Sequence, residues 1–213
     1  MIGYYDYTVI ATYLSLLSSF IGIFAAIERH PLIAIICLML SGLLDMFDGT
    51  IALTKKDRTR SQKRFGIQID SMCDLICFGL LPCIIGASVG LNNIFCLLIM
   101  FCYLLCAVIR LSFFNVDEEE RQSQTSEKRK YYMGLPVTMA AIIFPCIYII
   151  KNFSVEVFRY VYIIAIALVA VAFVSPIKIK KPGQKGLWGM LAIGFVIFAA
   201  LMIVAYFYGK NHG

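Results

Sequence analysis

Charge is scarce in this chain. Only 15% of its 213 residues are charged and 61% are hydrophobic, whereas a soluble domain carries about 25% charged and about 45–50% apolar residues. That leaves too little polar surface to cover a water-facing body. A secreted disulfide scaffold, a disordered regulator and a free DNA-binding domain are therefore excluded, and a polytopic membrane protein remains. No basic run carries interleaved aromatics, so nucleic acid is not an expected partner. The cysteines (Cys37, Cys73, Cys77, Cys83, Cys96, Cys102, Cys106 and Cys146) have no histidine nearby and all lie in apolar stretches. Despite the helical spacing of Cys73/Cys77 and Cys102/Cys106, they read as reduced thiols filling a core rather than as a metal site. The first apolar stretch lacks a basic start and a small-residue cleavage site and has Asp6 in front of it, so it reads as a retained span. No internal repeat and no linker separate a second unit, and one integral membrane domain over 1–213 is expected.

Seven apolar stretches are each about long enough to span, at roughly 7–27, 32–53, 67–90, 94–114, 134–150, 158–176 and 187–208. The expected fold is an all-α polytopic bundle. Net charge is +6, from 19 Lys and Arg against 13 Asp and Glu. Three connections hold most of the cations: 54–65 (Lys55, Lys56, Arg58, Arg60, Lys63, Arg64), 115–133 (Arg121, Lys128, Arg129, Lys130) and 177–186 (Lys178, Lys180, Lys181, Lys185). The other connections and the C-terminus hold only Arg29, Lys151, Arg159 and Lys210. Seven spans with a cytoplasmic amino terminus put the three basic connections on one side, as the positive-inside rule requires. The expected location is the cell membrane.

Four aspartates interrupt the apolar pattern. The second span ends LLDMFDGTIALT, with Asp45 and Asp48 at i, i+3; the third begins FGIQIDSMCDLICFG, with Asp70 and Asp74 at i, i+4. Each pair shares one helix face. An aspartate at a membrane helix centre costs about 2.5–3.5 kcal/mol on the insertion scale, and less towards the end. Antiparallel neighbours joined by one loop bring all four acids to one level, where only cations relieve their repulsion. Clustered hard oxygens suit Mg²⁺, Mn²⁺ or Ca²⁺. The isolated Asp6 and Asp57 read as solvated helix ends.

Gly49, Ala52 and Gly66 keep the surrounding faces small, either for helix packing or for a flat ligand such as a nucleotide, whose phosphates the basic loop with Lys55 would hold. Thr8 and Thr12 lie near the cytoplasmic end of the first span, where they contact the nucleotide or bond their own backbone. Arg110 lies within the fourth span and needs an anionic partner: a substrate carboxylate or phosphate, or one of the aspartates. Asn115 and Gly134-Leu135-Pro136 lie on the same side; they complete that acceptor pocket or form a turn entering a helix.

These residues resemble the signature of the CDP-alcohol phosphotransferases, D-x-x-D-G-x-x-A-R, a spacer, then G-x-x-x-D-x-x-x-D. Asp45, Asp48, Gly49, Ala52, Gly66, Asp70 and Asp74 match seven of its eight fixed positions. Leu53 stands where the family has Arg, and the spacer, residues 54–65, is longer than usual. That Arg helps hold the nucleotide phosphates, so Lys55, Lys56 or Arg58 is the expected substitute. Residues 7–176 are most similar to the phosphatidylserine synthase branch of bacteria and archaea. IRLSFFNV at 109–116 resembles its R-L-x-x-F-N segment, and YYMGLPVTMAA its G-L-P segment.

The resemblance implies a six-helix core, here with an extra C-terminal span, around a polar cavity open to the cytoplasm. It also implies two divalent cations, Mg²⁺ or Mn²⁺, with Ca²⁺ as a possible occupant, held by Asp45, Asp48, Asp70 and Asp74 against the diphosphate of CDP-diacylglycerol. Asp74 is implied as general base towards L-serine, with CMP released, and a homodimer is implied. Another acceptor, glycerol 3-phosphate or an inositol phosphate, is the alternative within the family; Arg110, the only cation well inside the core spans, favours serine. Outside the family stand an ion transporter, whose site would lie nearer the midplane, and the inactive scaffold that Leu53 raises.

Overall fold

Small side chains decide how the first two helices meet. In a computed structural model that describes residues 3–4, 7–52, 54–55, 57, 59–124, 131–180 and 183–212, a 3-10 turn at Tyr7–Val9 leads into α1 (Ile10–Ile27). The buried face of α1 includes Ser15, Ser18, Ser19, Gly22, Ala25 and Ala26. It packs on α2 (Pro31–Ala52). Ser18 Oγ donates to Cys37 O at 2.9 Å, Ser41 Oγ donates to Ser15 O at 3.0 Å, and the Ser19 and Ser41 hydroxyls lie 2.7 Å apart. Close approach of small residues and interhelical hydrogen bonds hold helices together where no hydrophobic effect acts between them. A Cβ on Gly22 would sit 2.8 Å from Cys37 Cβ. The connecting turn uses Arg29 at φ 63 and the His30 N–H donating to Ala25 O at 2.8 Å, and Pro31 opens α2.

The third span begins earlier than hydropathy indicates. A capping box, with the Gln62 N–H on Thr59 Oγ1 at 3.2 Å and the Thr59 N–H on Gln62 Oε1 at 2.8 Å, starts α3 (Arg60–Asp74). Arg60, Lys63 and Arg64 therefore ride on a helix, not in the expected loop. Directly after Asp74 the chain widens into a π-helical turn, Leu75–Leu80, before α4 (Leu81–Ser88). Pro82 has no N–H for the carbonyl of Phe78 four residues back, and Tyr103 Oη donates to that carbonyl instead at 2.6 Å. Tyr162 Oη donates to Pro82 O at 2.8 Å.

α5 (Ile94–Gln124) also outruns expectation, which ended it at 114. Its 31 residues would measure about 46 Å at 1.5 Å per residue, longer than a bilayer core of about 30 Å. Residues 115–124 are thus helix beyond the membrane core, where Glu119 pairs with Arg64 at 2.7 Å and Glu118 pairs with Arg121.

The fifth apolar stretch, expected at 134–150, is short and broken. A 3-10 turn (Val137–Met139) leads to α6 (Ala140–Tyr148), which contains Pro145, and then to a second 3-10 turn (Ile149–Asn152). α7 (Val155–Val174) follows, capped by Ser154, and then α8 (Gln184–His212). Among the described residues six helices are long and apolar enough to cross a membrane, with Val137–Asn152 as a shorter seventh apolar segment. The protein is a multi-pass helical membrane bundle.

Tyr103, Phe144, Tyr148, Phe158, Tyr162 and Phe173 form a linked aromatic core between α5, α6 and α7. The cysteines are free; Cys37, Cys73, Cys77, Cys83 and Cys96 are buried, whereas Cys102 and Cys146 face outward rather than into a core.

A two-stranded antiparallel ribbon joins two of the basic connections: β1 (Tyr131–Met133) pairs with β2 (Lys178–Lys180), with Tyr132 opposite Ile179. Gly134 leaves β1 at φ +73, and a Cβ there would collide with the carbonyl oxygen of Phe173. Only glycine fits that crossing.

Gly22→Val is expected to destabilise the detergent-solubilised protein by about 1–3 kcal/mol, the cost of overpacking a close contact. Gly194→Ala, inside α8 where a Cβ meets nothing within 4 Å, is expected to keep or slightly raise the melting temperature, because glycine inside a helix costs about 0.5–1 kcal/mol relative to alanine. Equal thermal melts for wild type and Gly22→Val would show that the α1/α2 seam is not tight.

Candidate active site

The end of α2 and the last turns of α3 carry the four acids. One carboxylate oxygen from each of Asp45, Asp70 and Asp74 lies within 4.8 Å of the others. Asp45 is in hydrogen-bonding reach of Asp74, and Asp48 of Asp70. Thr12 Oγ1 on α1 donates to Asp48 Oδ2 at 3.3 Å. Asp45, Asp70 and Asp74 of the four expected acids are thus grouped, and Asp48 is linked to Asp70 and to Thr12 of α1.

Among the described residues no lysine or arginine forms an ion pair with Asp45, Asp70 or Asp74. Arg110 lies close enough to Asp45 for their charges to interact. Asp70 Oδ1 is buried and finds no hydrogen-bond partner among the described residues. A carboxylate oxygen left this way is costly unless something absent from the protein chain engages it. Three converging carboxylates, one of which carries an orphaned oxygen, fit a divalent cation of the Mg²⁺, Mn²⁺ or Ca²⁺ type.

Several of the other expected site residues are gathered nearby. Gly49 and Ala52 lie in the last turn of α2, Gly66 lies one turn before Asp70 on α3, and Lys55 follows α2 half-buried. Thr8 is buried beside Thr12. Position 53, where Leu replaces the family Arg, lies outside the described residues, as do Lys56, Arg58 and Asp6.

Arg110 is buried; its Nε donates to Leu135 O at 2.9 Å, and its guanidinium lies over the Phe114 ring. Arg110 and the Gly134-Leu135-Pro136 segment are thus brought together. Asn115 turns elsewhere: Oδ1 accepts from Ser71 Oγ at 2.6 Å and Nδ2 donates to Gln68 Oε1 at 3.1 Å. Ser71 is a residue that sequence reasoning missed. It is buried next to Asp70 and ties the carboxylate-bearing helix to α5. Its only signal was a hydroxyl adjoining an acid within an apolar run.

A multi-pass bundle with a carboxylate cluster toward one end, backed by a small-residue helix seam, defines the class of protein. This chain belongs to the CDP-alcohol phosphatidyltransferase family, whose sequence model matches residues 8–209. That match takes in most of α8, beyond the 7–176 segment that carries the resemblance.

Among its relatives, the CDP-diacylglycerol–serine O-phosphatidyltransferase of Saccharomyces cerevisiae is 29% identical over 154 residues, covering 67% of this chain and 54% of that protein. The archaetidylserine synthase of Methanothermobacter thermautotrophicus is 29% identical over 138 residues, 64% of this chain and 55% of that one. The CDP-diacylglycerol–serine O-phosphatidyltransferase of Bacillus subtilis is 26% identical over 159 residues, 73% and 78% of the two. The chain spans about half the length of the first two relatives.

The crowding of these acids sets a stability test. In chelator, Asp70→Asn is expected to melt about 2–4 °C above wild type, the shift expected for relief of about 1 kcal/mol of repulsion in a chain of this size. With excess Mg²⁺ the order is expected to reverse, because wild type gains from cation binding and the variant has lost a ligand. Parallel shifts of both proteins with Mg²⁺ would remove Asp70 from the cation site.

Proposed function

We propose that this protein is a phosphatidylserine synthase, transferring the phosphatidyl group of CDP-diacylglycerol to the hydroxyl of L-serine and releasing CMP. The observation that carries the reading is the convergence of Asp45, Asp70 and Asp74 within 4.8 Å, at the signature positions of its family and beside Asp48. Serine as acceptor is supported by its relatives in Saccharomyces cerevisiae and Bacillus subtilis, both named for transfer to serine.

Asp45, Asp48, Asp70 and Asp74 would hold two divalent cations, Mg²⁺ or Mn²⁺, whose chemistry is to neutralise the charge on the diphosphate. The remaining chemistry belongs to the chain. Gly49, Ala52 and Gly66 leave room for the cytidine, and Lys55 lies at the end of α2 where the phosphates would emerge. The serine oxygen forms a bond to the phosphorus that bears diacylglycerol, and the bond from that phosphorus to the CMP oxygen breaks. The proton of the serine hydroxyl passes to Asp74, which has to lie within hydrogen-bond reach of it. Arg110, fixed by the Leu135 carbonyl, holds the serine carboxylate, and Gly134 and Pro136 shape the segment that positions it. A phosphorylated acceptor would call for more than this one buried cation.

The three basic connections support an active site that faces the cytoplasm of a cell membrane. The ribbon between β1 and β2 joins two of them, and the Arg64–Glu119 pair ties the start of α3 to the end of α5. The acyl chains remain in the bilayer between spans.

Incubating purified protein with CDP-diacylglycerol, Mg²⁺ or Mn²⁺ and a panel of alcohols is expected to give phosphatidylserine and CMP with L-serine. A product formed only with glycerol 3-phosphate or an inositol phosphate would overturn the acceptor, and absence of CMP release under every condition would overturn the enzyme. Asp74→Asn is expected to bind CDP-diacylglycerol but to lower transfer by about 10²–10⁴-fold, the usual contribution of a general base. Arg110→Ala is expected to raise the apparent KM for serine with little change in nucleotide-lipid binding. An unchanged serine titration would exclude Arg110 from the acceptor pocket.

A further inference from the structure

The two sides of α3 have different occupants. Gly66, Asp70 and Asp74 form one row at steps of four residues; Arg60, Arg64, Gln68 and Met72 form another. The rows are two residues out of step, about 200° round the helix, so the second points away from the carboxylates.

On that outer side Arg60, Lys63, Arg64, Ile67 and Gln68 join Asn115 and Glu119 of α5 around a cavity of about 210 Å³. Glu119 pairs with Arg64 at 2.7 Å. Arg60 and Lys63 have no carboxylate partner among the described residues, leaving the cavity two positive charges in excess. Gln68 accepts from Asn115 through Oε1, so its amide N–H groups remain to donate. One turn further, Met72 is 66% exposed, an apolar side chain facing outward where the helix enters the apolar layer.

Along this row the chemistry runs from guanidinium to amide to hydrocarbon. A phospholipid presents the complementary order, from phosphate through glycerol esters to acyl chain. Guanidinium forks match phosphate oxygens in paired hydrogen bonds, and the uncompensated charge disfavours a headgroup carrying its own cation. We propose that this outer cavity between α3 and α5 binds the phosphodiester of an anionic phospholipid from the surrounding bilayer, at a site separate from the carboxylate cluster.

The test uses the full chain in phosphatidylcholine nanodiscs, in chelator, with phosphatidylglycerol titrated in and retained lipid counted by native mass spectrometry. The double variant Arg60→Gln/Arg64→Gln is expected to weaken phosphatidylglycerol retention by roughly tenfold or more. Glu119→Gln, which removes the competing carboxylate, is expected to tighten it by roughly threefold. Lys178→Gln/Lys180→Gln removes the same charge from β2 and is expected to change nothing. The proposal is overturned if the Arg60/Arg64 variant retains the lipid as wild type does, or if the β2 variant loses it equally, which would mean diffuse surface charge. It is also overturned if inorganic phosphate displaces the lipid at equal concentration, which would make the site one for a soluble anion. Because chelator removes the cations and no turnover is measured, failure here leaves the transfer reading untouched.

Discussion

Four carboxylates at one level of a membrane bundle repel one another, and the surrounding structure is arranged to hold them there regardless. Asp45 and Asp48 come from α2, whose position is set against α1 by the Ser15, Ser18, Ser19 and Ser41 hydrogen bonds and by the missing side chain at Gly22. Asp70 and Asp74 come from α3, which is tied to α5 through Ser71 and Asn115. Only a rigid backing keeps like charges together until a counter-ion arrives, and polar seams between small residues supply rigidity where lipid removes the hydrophobic drive between helices. Asp70 Oδ1, buried and without a hydrogen-bond partner among the described residues, is the local mark of that arrangement.

The same constraint gives meaning to the irregular stretch that follows Asp74. A π-helical turn and Pro82, which has no N–H to donate, disturb the backbone ladder in an apolar environment, and hydroxyls from two other helices reinforce it there: Tyr103 of α5 donates to the Phe78 carbonyl and Tyr162 of α7 to the Pro82 carbonyl. π-bulges often mark functional sites, and this one begins at the final acid. The aromatic core therefore does two things, filling the space between α5, α6 and α7 and stabilising the backbone just beyond the carboxylate cluster.

At one end of the bundle, structure extends past the apolar layer. α3 starts in the basic connection, α5 continues through Gln124, and the β1–β2 ribbon clasps two loops together. The inward row of α3 carries acids and its outward row carries cations, so one helix presents opposite charge on its two sides.

Most of the spans, the polar turn at Glu28–Pro31 and the two acid pairs that face each other were legible in the sequence. Hydropathy and charge register the solvent around each residue, and an acid in an apolar run stands out without any partner being known. The early start of α3, the long tail of α5 and the broken fifth segment were not legible from hydropathy, because a capping box, inter-helix ion pairs and Pro145 set those boundaries. The roles of Ser71 and of the Gly134 crossing were also hidden, since each depends on a neighbour distant in sequence: Asn115 in one case, the Phe173 carbonyl in the other. Composition and spacing alone determined that this chain is a membrane bundle with two facing carboxylate pairs. Only the tertiary structure decided which carboxylates converge, that Asp70 Oδ1 has no donor among the described residues, and that Arg110 and Asn115 turn to different partners, because side-chain direction is set by packing between helices and not by position along them.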